Sequence, residues 1–185
     1  MVTNTTPLVT ISGPPASGTS TLTQNLAEEL DFEVINGGDI FRRIASERNL
    51  TLAELTELSE EDDSIDKELD ERLEQIINAH VAGERTPDGD GLIVESRLAG
   101  WHANGNADLS VYLHAPIKIR AERIDKREES VEELAEREKS EAKRYKQYYG
   151  IDISDLSIYD VTIDTSQSSI DNTFETVLSK IAPLC

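Results

Sequence analysis

Ten residues near the start of the chain, Ser12-Gly13-Pro14-Pro15-Ala16-Ser17-Gly18-Thr19-Ser20-Thr21, have the types and spacing of an anion cradle. Gly13 and Gly18 stand five apart, the glycine spacing of the phosphate-binding P-loop, G-x-x-x-x-G-K-[ST]. Glycines there let the backbone curl so that successive N–H groups face phosphate oxygens. Ser20 falls where the loop's hydroxyl coordinates Mg²⁺, but the position of the loop's lysine holds Thr19. The point charge normally set against the β- and γ-phosphates is therefore missing. Either another cation supplies it, or Gly13 to Thr21 is only a glycine turn ahead of a helix.

Candidate cations lie downstream. Gly38-Asp39-Ile40-Phe41-Arg42 puts Arg42 in the first turn of a helix, where the plainer readings are an N-cap for Asp39 and a solvated side chain for Arg42. Glu95-Ser96-Arg97 closes an apolar run. A carboxylate there suits a Mg²⁺-bound water and an arginine suits a substrate phosphate, although neighbours could simply pair with each other. Arg120, Arg123 and Arg127 stand at i, i+3 and i+7, and Arg137, Glu141 and Arg144 at i, i+4 and i+7, each set on one helical face. A salt-bridged surface helix has the same pattern, and Glu133 is spaced to pair with Arg137.

The charge distribution weighs against that bland alternative. Residues 118–146 carry 10 basic and 9 acidic side chains, while the rest of the chain carries 8 basic and 28 acidic. An acidic protein has kept most of its cations in one segment. Two arginine faces near a phosphate loop without its lysine are what a phosphoryl-transfer lid requires, because they neutralise the transferring group and exclude water on closure. His80, His102 and His114 have no partner at ligand spacing and read as structural.

The elements that must position these residues follow from pattern. Leu8–Ser12, Phe32–Asn36, Leu92–Glu95, Leu109–Leu113 and Val161–Asp164 are short apolar or β-branched runs that predict five strands. Helical patterns cover about 20–30, 39–48 (capped by Asp39), a stretch from Thr51 with Glu54 in capping-box spacing, 64–81, 117–128, 130–148 and 170–182. Residues 83–91 read as a loop. Strands alternating with helices imply βαβ units, hence one α/β domain whose parallel sheet is covered on both faces.

Composition bounds the rest. The chain has 185 residues, 37% of them hydrophobic, enough to bury a core. No apolar run approaches the roughly 20 residues that span a bilayer, and no signal segment opens the chain, so a cytoplasmic protein without membrane contact is expected. The one cysteine, Cys185, excludes an internal disulfide. A net charge of −19 repels nucleic-acid phosphates, so no nucleic-acid partner is expected. Such a surface serves solubility. It also suits molar salt, where screening shrinks to about 3 Å and self-repulsion fades. Adaptation to high salt is the expectation.

Taken in order, the motifs resemble the nucleoside monophosphate kinases, in particular the archaeal type of cytidylate kinase. ISGPPASGTST is similar to that type's phosphate loop, in which Gly-Thr replaces Gly-Lys. GDIFR (Gly38–Arg42), ESRLAGW (Glu95–Trp101), NADL (Asn106–Leu109), RAER (Arg120–Arg123), REKSEAKRY (Arg137–Tyr145) and IDTS (Ile163–Ser166) follow in matching order. The resemblance implies a P-loop kinase fold, three-layered around a five-stranded parallel sheet. Its core would be about 8–36, 92–118 and 156–185, with a helical monophosphate-binding segment at about 37–91 and helical lid at about 119–150. It implies phosphoryl transfer from ATP to CMP, and to dCMP, with Mg²⁺, by a monomer of pyrimidine nucleotide metabolism.

By the same resemblance, Gly13, Pro14, Pro15, Ala16, Ser17, Gly18, Thr19, Ser20 and Thr21 would hold ATP, and Ser20 and Glu95 the metal. Asp39, Arg42 and Arg97 would hold CMP. Arg120, Arg123, Arg127, Arg137 and Arg144 would act at the transferring phosphate, and the loop from Gln167 would lie against adenine. The bacterial cytidylate kinases read Gly-Arg-Asp where this chain has Ser96-Arg97-Leu98, so the residue that reads the base here is open. An AMP or UMP kinase of the same fold, or a nucleotide-binding regulator without turnover, are the alternatives.

Overall fold

The computed structural model describes residues 6–124 and 130–185. Five strands, β1 (Leu8–Ser12), β2 (Phe32–Asn36), β3 (Gly91–Glu95), β4 (Leu109–His114) and β5 (Val161–Asp164), form one parallel sheet in the order β2-β3-β1-β4-β5. β1 and β3 are buried along their whole length, as central parallel strands must be when helices cover both faces.

Side-chain alternation builds the two faces. Leu8, Leu92 and Val94 point into one cluster with Ile40, Ile44, Leu55, Ile65, Leu73 and Ile77. These come from helices α2 (Gly37–Glu47), α3 (Leu52–Glu61) and α4 (Asp63–Val81). Val9, Ile11, Ile93, Leu109 and Val111 point the other way, against α1 (Thr19–Leu30) and a C-terminal helix, α8 (Ile170–Ile181), through Leu22, Leu26, Val177 and Ile181. The chain is therefore three layers, as the strand and helix patterns predict.

Three local readings change. The helix after β2 is capped by Asn36, whose side chain accepts from the Asp39 amide, and not by Asp39 itself. The double glycine is already helical, which moves the cap three residues upstream. A five-residue helix, α5 (Ala99–Ala103), stands where no periodic pattern announced one. The helix after β4, α6, is described over Ile117–Arg123, and Arg127 lies outside the described residues. The next, α7 (Val131–Tyr149), carries the capping box Ser130/Glu133. Glu133 thus spends its carboxylate on its own helix terminus.

The topology makes a crevice. β1 connects through α1 to one side of the sheet, while β3 connects through α5 across β1 to β4. Connections diverge at the carboxyl ends of β1 and β3, where ligands of open α/β sheets bind. Ile11 pairs with Glu95 there, so the loop after β1 and the Glu95-Ser96-Arg97 turn start side by side.

Candidate active site

The loop from Gly13 to Gly18 is held from outside, by its carbonyls. Arg97 Nη1 donates to the Gly13 carbonyl at 2.7 Å, Arg120 Nη1 to Pro15 at 3.2 Å and Arg123 Nη1 to Ala16 at 3.0 Å. Thr165 Oγ1 donates to the Ser17 carbonyl at 2.8 Å, and the Ser17 amide closes the turn on Pro14 at 3.2 Å. Five successive carbonyls are thus engaged, which leaves the concave side of the loop to N–H groups. Ala16 (φ 57°) and Gly18 (φ 100°) take the left-handed backbone that this curl needs. A Cβ on Gly13 would stand 2.4 Å from the Leu113 carbonyl, so only glycine fits against β4.

The loop runs into α1, whose first turn no side chain caps. Its orphan N–H groups and the helix dipole face the loop and favour an anion. Three guanidiniums, two of them from the predicted arginine segment, surround a loop that lacks its lysine. Arg120 is buried, with bidentate contact to Glu138 of α7, while Arg123 is exposed and also donates to Thr165. The IDTS segment therefore lies against the loop from Gly13 to Gly18, with its Thr165 at the contact.

A cleft of about 520 Å³ opens from the loop between α2, α4 and α7. Gly13, Pro14, Pro15, Ala16, Thr19 and Ser20 line one end; Glu95, Ser96 and Arg97 stand beside them. Ser20 Oγ donates to Glu95 Oε1 at 2.9 Å, and Asn36 Nδ2 to Glu95 Oε2 at 2.5 Å. Glu95 and Arg97 therefore do not pair with each other. Arg97 instead bridges the Gly13 carbonyl and Glu141 Oε2, at 3.1 Å, on the cleft face of α7. A hydroxyl next to a buried carboxylate is a hard-oxygen pair that suits Mg²⁺, which takes few protein ligands and relies on phosphates and water. Among the described residues no group of three or more His, Cys, Asp or Glu could hold a metal ion.

Arg137, Glu141 and Arg144 all line the cleft, as their shared helical face predicts. Arg42 and Asp39 are placed differently. They pair with each other at 2.5 Å, with side chains 57% and 67% exposed, and neither lines the cleft. Arg42 lies over Gly38 at the cleft's edge.

The far end holds residues that spacing arguments passed over. Arg144 Nε donates to Asp66 Oδ2 at 2.8 Å, with both side chains largely buried. Burial pushes the Asp66 carboxyl up from its ordinary value, more than the Arg144 charge holds it down. One turn further along α4, Asp70 accepts from the Tyr149 hydroxyl at 2.7 Å and faces His102 Nε2 at 3.0 Å; His102 Nδ1 faces Glu74 at 3.0 Å. Burial works to lower the His102 pKa, but the bonds and charges of Asp70 and Glu74 outweigh it and the pKa is raised. This histidine joins α4, α5 and, through Asp70, the end of α7. The available signal was the spacing Asp66, Asp70, Glu74, three carboxylates at i+4 intervals on a helix whose same face carries core leucines.

The family model for the cytidylate kinase-like family matches residues 8–167. The chain is 45% identical over 179 residues to a cytidylate kinase of Halobacterium salinarum, an alignment covering 94% of this chain and 88% of that protein. It is 48% identical to a cytidylate kinase of Haloarcula marismortui, with 86% and 81% covered, and 47% identical to one of Methanosarcina mazei, with 86% and 87% covered. Among solved structures, a shikimate kinase from Bacteroides thetaiotaomicron superposes with a TM-score of 0.64 at 11% identity, covering 95% of this chain and 98% of that one. That likeness is one of fold, an α/β kinase fold. No helix among the described residues is long and apolar enough to cross a membrane.

Proposed function

The chain belongs to the cytidylate kinase-like family, and on that premise we propose that it transfers the γ-phosphoryl group of ATP to CMP or dCMP, giving ADP and the cytidine diphosphate. The observation that carries this reading is the position of Arg97, shared between the phosphate loop and the α7 face of the cleft. An arginine there can hold an acceptor phosphate beside the loop that holds the donor.

In this reading residues 13–21 cradle the ATP phosphates by backbone N–H groups, and Arg97 orients the monophosphate. An acceptor phosphate oxygen forms a bond to the γ-phosphorus as the bond to the β,γ-bridging oxygen breaks, and ADP carries away that oxygen's electron pair. The acceptor is already an anion, so no general base is needed. Arg120, Arg123 and Arg137 are the cations available to the growing charge, Arg144 being engaged with Asp66, and alignment and water exclusion do the rest. Ser20 and Glu95 would hold Mg²⁺, which when bound offsets negative charge on the donor phosphates. Residues 37–91 serve as the monophosphate-binding segment and 119–150 as the lid. Arg42, already at the cleft edge, needs only to leave Asp39 to meet the monophosphate. The setting proposed is pyrimidine nucleotide metabolism in a salt-rich cytoplasm, by a monomer.

The test is an ADP-release assay in molar KCl with ATP and Mg²⁺, offering CMP, dCMP, UMP and AMP separately. Fast turnover with the two cytidylates and little with AMP is expected. A preference for UMP or AMP would replace the substrate while leaving the chemistry. No turnover by folded protein would make it a nucleotide-binding regulator.

A further inference from the structure

The Arg97 end of the cleft is rich in phosphate-binding chemistry, whereas the opposite end offers one complementary pair of hydrogen-bonding groups between apolar walls. A nucleoside monophosphate is extended, with phosphate and base at opposite ends. With its phosphate beside Arg97 and Ser20, its base would lie toward the part of the same cleft lined by Phe41, Leu69, Leu73, Asp66 and Arg144. Along α7 the lining runs in that same direction, from Glu141, which holds Arg97, to Arg144 nearly one turn later.

We infer that Asp66 and Arg144 read the Watson–Crick edge of cytosine, Asp66 accepting from the 4-amino group and Arg144 donating to the adjoining acceptors N3 and O2. This assignment rests on the cytidylate kinase reading above and names the base-recognising residues of that same site. The pair is bonded to itself through Arg144 Nε and Asp66 Oδ2 only. Arg144 Nη1 donates to Ser140 at 2.9 Å, and among the described residues Nη2 and Asp66 Oδ1 take no part in a hydrogen bond. One acceptor and one donor therefore remain side by side, in a pair whose side chains are only 14% and 17% exposed.

The other shielded carboxylates of the cleft are already spent, and Glu60, which also lines it, is exposed. Asp70 gives one oxygen to His102 and the other to Tyr149, and Glu141 is bonded to Arg97. The ionic frame around Asp70 instead fixes the turn of α4 that presents Asp66, one helical turn away. Cytosine shows donor, acceptor, acceptor along its edge; uracil shows acceptor, donor, acceptor. With uracil, the Asp66 carboxylate faces the O4 lone pairs and Arg144 faces the N3 proton, so Asp66 loses its partner and Arg144 keeps only O2. Sites built on such pairing reject the mismatched ligand strongly, because the buried polar groups are left unpaired.

The experiment compares kcat/KM for CMP and UMP, and KM for ATP, in the wild-type protein, Asp66→Asn and Arg144→Lys, each checked for folding by thermal unfolding. Asp66→Asn replaces a pure acceptor by a group that can donate to O4. The expected result is a loss of about 10²-fold with CMP and a CMP-to-UMP preference narrowed at least about tenfold, with KM for ATP unchanged. Arg144→Lys keeps the charge but loses the forked donor, and the preference narrows again. Should Asp66→Asn fail to fold, Arg144→Lys decides alone. A preference unmoved in the folded variants, with CMP and UMP falling by the same factor or not at all, overturns the assignment while leaving the kinase reading intact. Absence of CMP turnover by the wild-type protein removes the reaction, and this assignment with it.

Discussion

Arg97 and Gly13, 84 residues apart, are joined by a 2.7 Å hydrogen bond from the Arg97 guanidinium to the Gly13 carbonyl. The bond fixes the cation that follows β3 at the entrance of the loop that follows β1. It also turns the first loop carbonyl away from the concave side, so the same contact serves both the loop's curl and the placement of positive charge.

Arg97→Ala is therefore expected to cut kcat/KM for the monophosphate by about 10²–10³-fold while ATP binding changes little. Steady-state kinetics varying each substrate in turn, with ATP binding measured by calorimetry, separate the two. Equal losses toward both substrates would show that Arg97 works mainly as a brace for the loop.

The two arginines of α6 should part company in stability. Arg120 is buried and shares a two-pronged contact with Glu138. Removing it as Arg120→Ala strands a partly buried carboxylate and is expected to cost about 3 kcal/mol. Arg123 is exposed, and Arg123→Ala should cost no more than about 0.5 kcal/mol. Both should lower kcat. Urea unfolding curves give the comparison, and equal midpoints for the two variants would contradict it.

Thr19→Lys should not raise kcat. The loop is already flanked by Arg120 and Arg123, whose guanidiniums bond its carbonyls, and a lysine would crowd and repel them. Single-turnover rates decide this, since a tenfold gain would show that the lysine's space was empty of charge.

The His102 network makes stability fall on the alkaline side. A histidine whose folded pKa is raised above its ordinary 6.5 binds more protons folded than unfolded between those two values. Its contribution is complete below pH 6.5 and is lost as pH rises through the raised folded pKa. Unfolding midpoints measured from pH 6 upward should decline, and His102→Gln should remove that slope. A parallel decline in the variant would place its cause elsewhere.

A chain with 37 acidic and 18 basic residues should gain stability as KCl is raised toward molar concentrations, because screening relieves self-repulsion. Chemical unfolding in a KCl series reads this directly. A midpoint independent of salt would leave solubility as the sole role of the acidic surface.

Much of this protein was legible in its residues taken in order. Strand and helix identity follows from local periodicity, so β1 to β5 and the capping box at Thr51 lie where the pattern puts them. The curl of the loop from Gly13 to Gly18 is legible because its glycines, its hydroxyl and the helix after it are contiguous. The shared face of Arg137, Glu141 and Arg144 is legible because helix geometry alone brings them together.

What the chain order could not decide is which residues meet across the sheet's crevice. Ser20 with Glu95, Arg97 with Gly13, Asp66 with Arg144 and Asp70 with both His102 and Tyr149 are separated by 75, 84, 78, 32 and 79 residues. No local rule of spacing links such pairs. Arg42, well placed by sequence, is turned onto Asp39 because a neighbour at i−3 is closer than the cleft. Periodicity determines which face of a helix is polar; only the packing of α4, α5 and α7 against one another determines which polar groups share that buried space, because each must find a partner once water is excluded.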